Sequence, residues 1–197
     1  MRDEARRRLA DELYAASHAH DAAQADRLDR FRNVEPETAE LLGVLIRAAG
    51  ARRILELGTS NGYSTIWLAD AAQATTGRVV SVDVDAGRTE LARANLAAAG
   101  LSDRVELRTE DAGATLAGAP DAAWEFVFLD AERPAYCDYL PDLVRTLAPR
   151  GVLAIDNVTS HAHELVEFTA LIEREPRLAQ TVVPVGAGLR LAVLDSA

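Results

Sequence analysis

Apolar and polar positions along this chain change period repeatedly, and the changes predict strands alternating with helices. Runs that are apolar almost throughout, Ile54 to Leu57 and Trp124 to Leu129, are too short for helices and suit strands covered on both faces. The stretch RVVSVDVD after Gly77, the stretch Arg104 to Arg108 and the run GVLAIDN from Gly151 read as further strands. Helical composition fills the intervals: Tyr63 to Ala71, Gly87 to Ala99 closed by Gly100, about Tyr136 to Leu147, and Ala162 to Glu175 ahead of Pro176. Residues 3 to about 31 carry Leu9, Leu13, Ala16, Leu28 and Phe31 on a loose helical period, and Pro36 opens a helix that Gly50 ends. Two apolar runs flanking Gly186-Ala187-Gly188 read as a terminal hairpin. The sum is an α/β fold with a doubly wound, mostly parallel sheet.

The first strand delivers the motif RILELGTSNGYS from Arg53 to Ser64. Gly58 and Gly62 permit positive φ and a close approach of backbone to a ligand at a strand-to-helix corner. Dinucleotide folds want G-x-G-x-x-G, whereas here the spacing is G-x-x-x-G with Glu56 inside the strand. A carboxylate there suits a cationic ligand such as S-adenosylmethionine, with its sulfonium and ammonium. The competing reading is a glycine-capped structural turn with Glu56 paired to an arginine.

Polar oxygens recur where the other strands end: Asp83 after the second, Asp111 after the third, Asp130 after the fourth, Asp156 and Asn157 after the fifth. A parallel sheet with acids at nearly every strand tip has a binding face there. Asp83 is placed to accept hydrogen bonds from ribose hydroxyls.

Charge narrows the partners. A net charge of −10 argues against a protein that grips a phosphate backbone, so a small-molecule acceptor and no nucleic acid are expected. The single cysteine, Cys137, excludes an internal disulfide and a cysteine-rich zinc site. No apolar run reaches membrane-spanning length, and the expectation is a cytoplasmic protein with no membrane partner. A length of 197 residues suits a single domain, 1–50 forming amino-terminal helices and 51–197 the cofactor-binding core.

With these motifs in view, the chain from Asn33 to Val193 resembles the class I S-adenosylmethionine-dependent methyltransferases, and among them the metal-dependent O-methyltransferases of the catechol and caffeoyl-coenzyme A type. ELGTSNGYS is similar to that family's E-I-G-x-x-x-G-Y-S, LDAERPAY to its I-D-A-D-K-x-x-Y, and AIDNV carries its D-N-V. The resemblance implies a Rossmann-like seven-stranded sheet with the last strand antiparallel and helices on both faces. It implies cofactor contacts from Asn33, Val34, Glu56, Gly58, Thr59, Ser60, Gly62, Ser64, Asp83, Val84, Asp111, Ala112 and Asp130. It further implies a divalent metal, Mg²⁺ or else Ca²⁺ or Mn²⁺, on Asp130, Asp156 and Asn157, a choice that an all-oxygen donor set favours over zinc. The activity implied is methyl transfer to a hydroxyl of a vicinal-diol or catechol-like acceptor, by a homodimer.

The pattern departs from the family at one position. Where the family carries a lysine as base this chain has Arg133, and all 21 of its basic residues are arginine. Arginine stays protonated, so Arg133 is left an electrostatic role toward a bound phenolate, and the base becomes the metal-bound site itself with water, or His161 or His163. The few residues between Asn157 and the next helix point to a short substrate loop and an open pocket. The rival readings are a metal-independent methyltransferase and a cofactor-binding protein without catalysis.

Overall fold

The computed structural model describes Met1 and residues 3–196; Arg2, Ala197 and the side chain of Leu28 lie outside the described residues. Five parallel strands, β1 (Arg53–Leu57), β2 (Arg78–Asp83), β3 (Val105–Thr109), β4 (Trp124–Leu129) and β5 (Leu147–Ile155), are joined by β6 (Leu178–Val183), which runs in the same direction at the sheet edge, and by β7 (Leu189–Leu194), which is antiparallel to both its neighbours, β5 and β6. Their spatial order is β3-β2-β1-β4-β5-β7-β6, which reverses direction of winding at β1 and opens a crevice above β1 and β4. The expected seven-stranded sheet with an antiparallel last strand is therefore present.

Alternation along the strands explains the layers. In β4 the rings of Phe126 and Phe128 enter one core, while Val127 and Leu129 enter the other. The first core is closed by α1 (Glu4–Ala23), α2 (Pro36–Ala49), α3 (Tyr63–Thr75) and α4 (Ala86–Ala98). The second is closed by α5 (Ala112–Gly118), α6 (Tyr136–Thr146) and α7 (Val166–Ile172). Pro36 opens α2 as its pattern predicts, and Gly50 closes it in the left-handed region with φ 65°.

One element appears that the pattern did not announce, and two local expectations are corrected. The segment after Asp111 is a helix, α5, capped by the Asp111 carboxylate, which accepts the Ala114 N–H at 2.9 Å. The helix expected from Ala162 begins only at Val166: His161, Ala162, Glu164 and Leu165 are occupied in tight turns after Asn157, so the loop is longer than the sequence suggested. Trp124, read as core, packs against the second core but is only partly buried, and its indole N–H has no acceptor among the described residues.

Helix α1 is tied into the rest at two depths. Buried Asp70 of α3 accepts from Arg6 of α1 at 2.6 Å and from Arg47 of α2 at 2.5 Å. Ser17 of α1, also buried, accepts a 2.7 Å hydrogen bond from the Asn61 amide inside the glycine turn. Among the described residues no helix is long and apolar enough to cross a membrane.

Candidate active site

The strand tips are bonded to one another in sequence, which aligns their acids along one edge. Gly58 donates its N–H to the Val82 carbonyl, Asp130 to Leu57 and Asp156 to Leu129, at 2.9, 2.9 and 3.2 Å. Above this edge lies a cavity of about 670 Å³. From the residues expected to hold a cofactor it takes Asn33, Val34, Gly58, Ser60, Ser64, Asp83, Val84, Asp111, Ala112 and Asp130 as lining, and both expected catalytic residues, Arg133 and His161.

Glu56, Thr59 and Gly62 are not part of that lining. Glu56 is fully buried behind Ser64 and is paired with hydroxyls rather than with an arginine: Ser64, Thr65 and Ser81 donate to it at 2.6, 2.5 and 2.6 Å. Burial outweighs these three donors and pushes its carboxyl up to about 7. Thr59 extends the chain of hydroxyls, 2.6 Å from Ser81. Gly62 is required for packing: its φ is 84°, and a Cβ there would press against Ala92 at 3.0 Å. The motif thus splits into residues that face the cavity and residues that build the wall behind it.

Asp83 holds the turn open. Its two oxygens accept the backbone N–H groups of Ser60 and Asp85, at 2.8 and 2.9 Å, which fixes the carboxylate at the rim with its other lone pairs unclaimed by those bonds. Beside it Val84 is exposed over 72% of its surface although it lines the cavity, an apolar face suited to a flat ring. Asp111 and Ala112 close that side at the start of α5.

At the β4 and β5 tips the Asn157 amide nitrogen donates to Asp130 at 3.0 Å and to Asp156 at 3.1 Å. Asp156 is buried, and its Oδ1 has no partner among the described residues. Burial first, then repulsion between them, pushes the Asp156 carboxyl above the usual range, and burial does the same to Asp130. Two crowded carboxylates with an orphaned oxygen and an adjacent amide form an all-oxygen donor set once the Asn157 amide turns its carbonyl inward. That set fits a divalent cation of the Mg²⁺, Ca²⁺ or Mn²⁺ kind. Among the described residues no group of three His, Cys, Asp or Glu side chains is placed to hold a metal, so the fit depends on the asparagine.

Arg133 is buried against this pair, its Nε donating to Glu164 at 2.7 Å. His161 places Nδ1 2.8 Å from the Ser160 hydroxyl, and burial together with the Arg133 charge lowers its pKa below 6.5. His163, the other candidate base, is largely exposed and does not line the cavity.

The remaining wall comes from a segment whose role the sequence did not disclose. Asp21 of α1 accepts the N–H groups of Phe31 and Arg32, each at 2.8 Å, and Ser60 donates to the Phe31 carbonyl at 2.9 Å. This folds Arg27, Arg30 and Arg32 over the cavity, where Glu132 binds Arg27 at 3.2 Å and Arg32 at 2.6 Å. The only hint in the sequence was the position of Arg30 and Arg32 just before Asn33.

Fold and site together define a Rossmann-like methyltransferase architecture, a corner for a nucleoside over β1 to β3 and an acidic pair over β4 and β5. The comparisons sharpen this: a sequence model described as O-methyltransferase matches residues 21–194, and the chain belongs to that family. It is 41% identical over 150 residues to a catechol O-methyltransferase of Mycobacterium tuberculosis, covering 74% of this chain and 64% of that protein. It is 33% identical over 129 residues to one of Niastella koreensis, covering 64% of this chain and 58% of the relative. The match thus spans about three fifths of the length of these relatives. The O-methyltransferase of Bacillus cereus, solved with SAH, superposes with a TM-score of 0.78 at 29% identity, covering 99% of this chain and 92% of that one. TomG of Streptomyces achromogenes, solved with SAM, gives 0.77 at 28% identity, with 100% and 92% covered.

Proposed function

We propose that this protein is an S-adenosylmethionine-dependent O-methyltransferase acting on a small vicinal diol, such as a catechol, with a divalent cation at Asp130, Asp156 and Asn157. The observation that carries the reading is the crowded Asp130 and Asp156 pair, with the unpartnered Asp156 Oδ1, directly beside the nucleoside corner. SAH and SAM in the solved relatives support the choice of cofactor.

A divalent cation, when bound there, supplies Lewis acidity and orients neighbouring oxygens of the acceptor. Asp83 accepts from the ribose hydroxyls, Val84 covers the adenine, and Ser64 with the Asn33-Val34 backbone holds the amino-acid end. Glu56 acts through Ser64, as a buried carboxylate that fixes the hydroxyl. Arg133, which cannot give up its proton, stabilises negative charge on the acceptor oxygen. His161 takes the hydroxyl proton at Nε2, the nitrogen left by the Ser160 contact at Nδ1. The O–C bond then forms as the S–C bond breaks, and positioning supplies most of the rate.

The same reading takes the protein as a homodimer, the form its resemblance implies, in the cytoplasm; light scattering tests the assembly. The function is tested by calorimetry of S-adenosylhomocysteine, with and without Mg²⁺ and catechol, on wild type and Asp130→Ala. Catechol binding that requires both Mg²⁺ and Asp130 is the expected result. Cofactor binding with no response to metal or catechol overturns the metal-assisted reading.

A further inference from the structure

The order of the strand tips divides the cavity into halves of opposite character. Over β2 and β3 four acids, Asp83, Asp85, Glu110 and Asp111, outnumber Arg30 and Arg88 in the lining, as suits a nucleoside. Over β4 and β5 three guanidinium groups line the wall: Arg27 and Arg32 from the segment between α1 and α2, and Arg133 from the loop after β4. Two carboxylates answer them. Glu132 is shared between Arg27 and Arg32, and Glu164 is taken by Arg133. Against these two carboxylates one positive charge is in excess, and the Arg32 Nε is a buried donor without an acceptor among the described residues. In a chain whose net charge is −10, three guanidinium groups are thus gathered on one wall, and the sign of this side turns positive once the charges of Asp130 and Asp156 are matched by a divalent cation. The segment is already fastened by Asp21 and Ser60, independently of the two arginines on Glu132. The further carboxylate near Asp156, Glu35, accepts from the Tyr14 hydroxyl and does not line the cavity, so it does not answer the arginines there.

From this we infer that the preferred acceptor carries a carboxylate as well as its vicinal hydroxyls, and that Arg27 and Arg32 bind that carboxylate. The inference rests on the O-methyltransferase reading above and names its substrate class. A carboxyl group on an aromatic acceptor is ionised at neutral pH, and a guanidinium fork matches its two oxygens. Glu132 then holds the two arginines in place for the acceptor rather than cancelling them.

The test compares 3,4-dihydroxybenzoate with its uncharged methyl ester, which keeps the diol and nearly the shape. Each is titrated calorimetrically into protein saturated with S-adenosylhomocysteine and Mg²⁺, at low and high salt. In the wild type the acid is expected to bind about tenfold more tightly than the ester, with the preference shrinking at high salt. Arg27→Gln is expected to remove most of the preference, and Glu132→Gln, which takes away the competing carboxylate, to enlarge it. Circular dichroism establishes that each variant is folded; should Arg27→Gln not fold, the Glu132→Gln arm and the salt series decide. An ester that binds as well as the acid, or a preference untouched by both substitutions and by salt, overturns the inference and leaves the O-methyltransferase reading standing. If neither compound binds while S-adenosylhomocysteine does, both fall together.

Discussion

A β-carbon on Gly58 would lie 2.1 Å from the carbonyl oxygen of Asp130, and Gly58 has a φ of 106°. The turn after β1 and the tip of β4 therefore touch through a position that admits hydrogen alone. Gly58→Ala combines overpacking with a strained backbone, together about 2–5 kcal/mol. Chemical denaturation measures the loss, and S-adenosylhomocysteine affinity is expected to fall with it because Asp130 must move. An alanine variant of wild-type stability would show that the contact relaxes freely.

Crowding of Asp130 and Asp156 predicts a response to metal. At neutral pH, Mg²⁺ at a hundredfold excess over its dissociation constant should stabilise the wild type by about 2.7 kcal/mol. Asp156→Asn relieves the repulsion, so it should keep or raise the melting temperature without metal and abolish the response. Thermal melts across a Mg²⁺ series decide, and a wild type indifferent to Mg²⁺, Ca²⁺ and Mn²⁺ argues for metal-independent transfer.

The buried Glu56 gives the unliganded fold a pH dependence of defined sign. Its folded-state pKa is raised from 4.5 to about 7, so the neutral acid is the form that suits the native state. Stability is full below pH 4.5 from this group and is lost as pH rises towards 7, by up to about 3 kcal/mol at 1.36 kcal/mol per unit. Glu56→Gln should flatten this part of a plot of stability against pH. A slope identical to that of the wild type would place the dependence elsewhere, at Asp130 and Asp156.

Asp70 serves two arginines from two helices in a buried setting. Removing it leaves Arg6 without its ion-pair partner in a mostly buried position, and Asp70→Ala should destabilise by about 3–5 kcal/mol. Asp70→Asn, which keeps a hydrogen-bond acceptor, should lose less. Urea unfolding of the two variants distinguishes the charge from the hydrogen bonds.

For the chemical step, His161→Ala should lower kcat by about 10²-fold. The wild-type rate should fall as pH drops through a value below 6.5, because the imidazole must be neutral to accept a proton. That acidic limb should vanish in His161→Ala. If it persists, the proton leaves by another route, and Arg133→Ala then reports only the electrostatic contribution.

Much of this molecule was legible in its chain for physical reasons that particular residues illustrate. Phe126, Val127, Phe128 and Leu129 had to be covered on both faces, and the acids after the strands had to share an edge once those strands were parallel. Helix α5 was hidden because Gly113 and Gly118 depress helical propensity, and only the Asp111 cap and the burial of Leu116 recover it. Glu56 looked like a ligand group because the sequence shows its place in the strand but not the hydroxyls of Thr65 and Ser81 that enclose it. Arg27 and Arg32 gave no periodic signal at all. Their place depends on Asp21 reaching ten and eleven residues ahead to Phe31 and Arg32.

The hydrogen bond from Asn61 to Ser17 carries a lesson for anyone recombining this protein. A seam cut at residue 50 looks natural on paper, since the sheet begins at Arg53. Yet the glycine turn shares a buried polar contact with the first helix, so a chimera with a foreign leading segment inherits an amide left without its acceptor. Grafts that retain Ser17 and Asp21 should keep both the turn and the wall of the cavity, and the usable crossover lies before α1 rather than after α2.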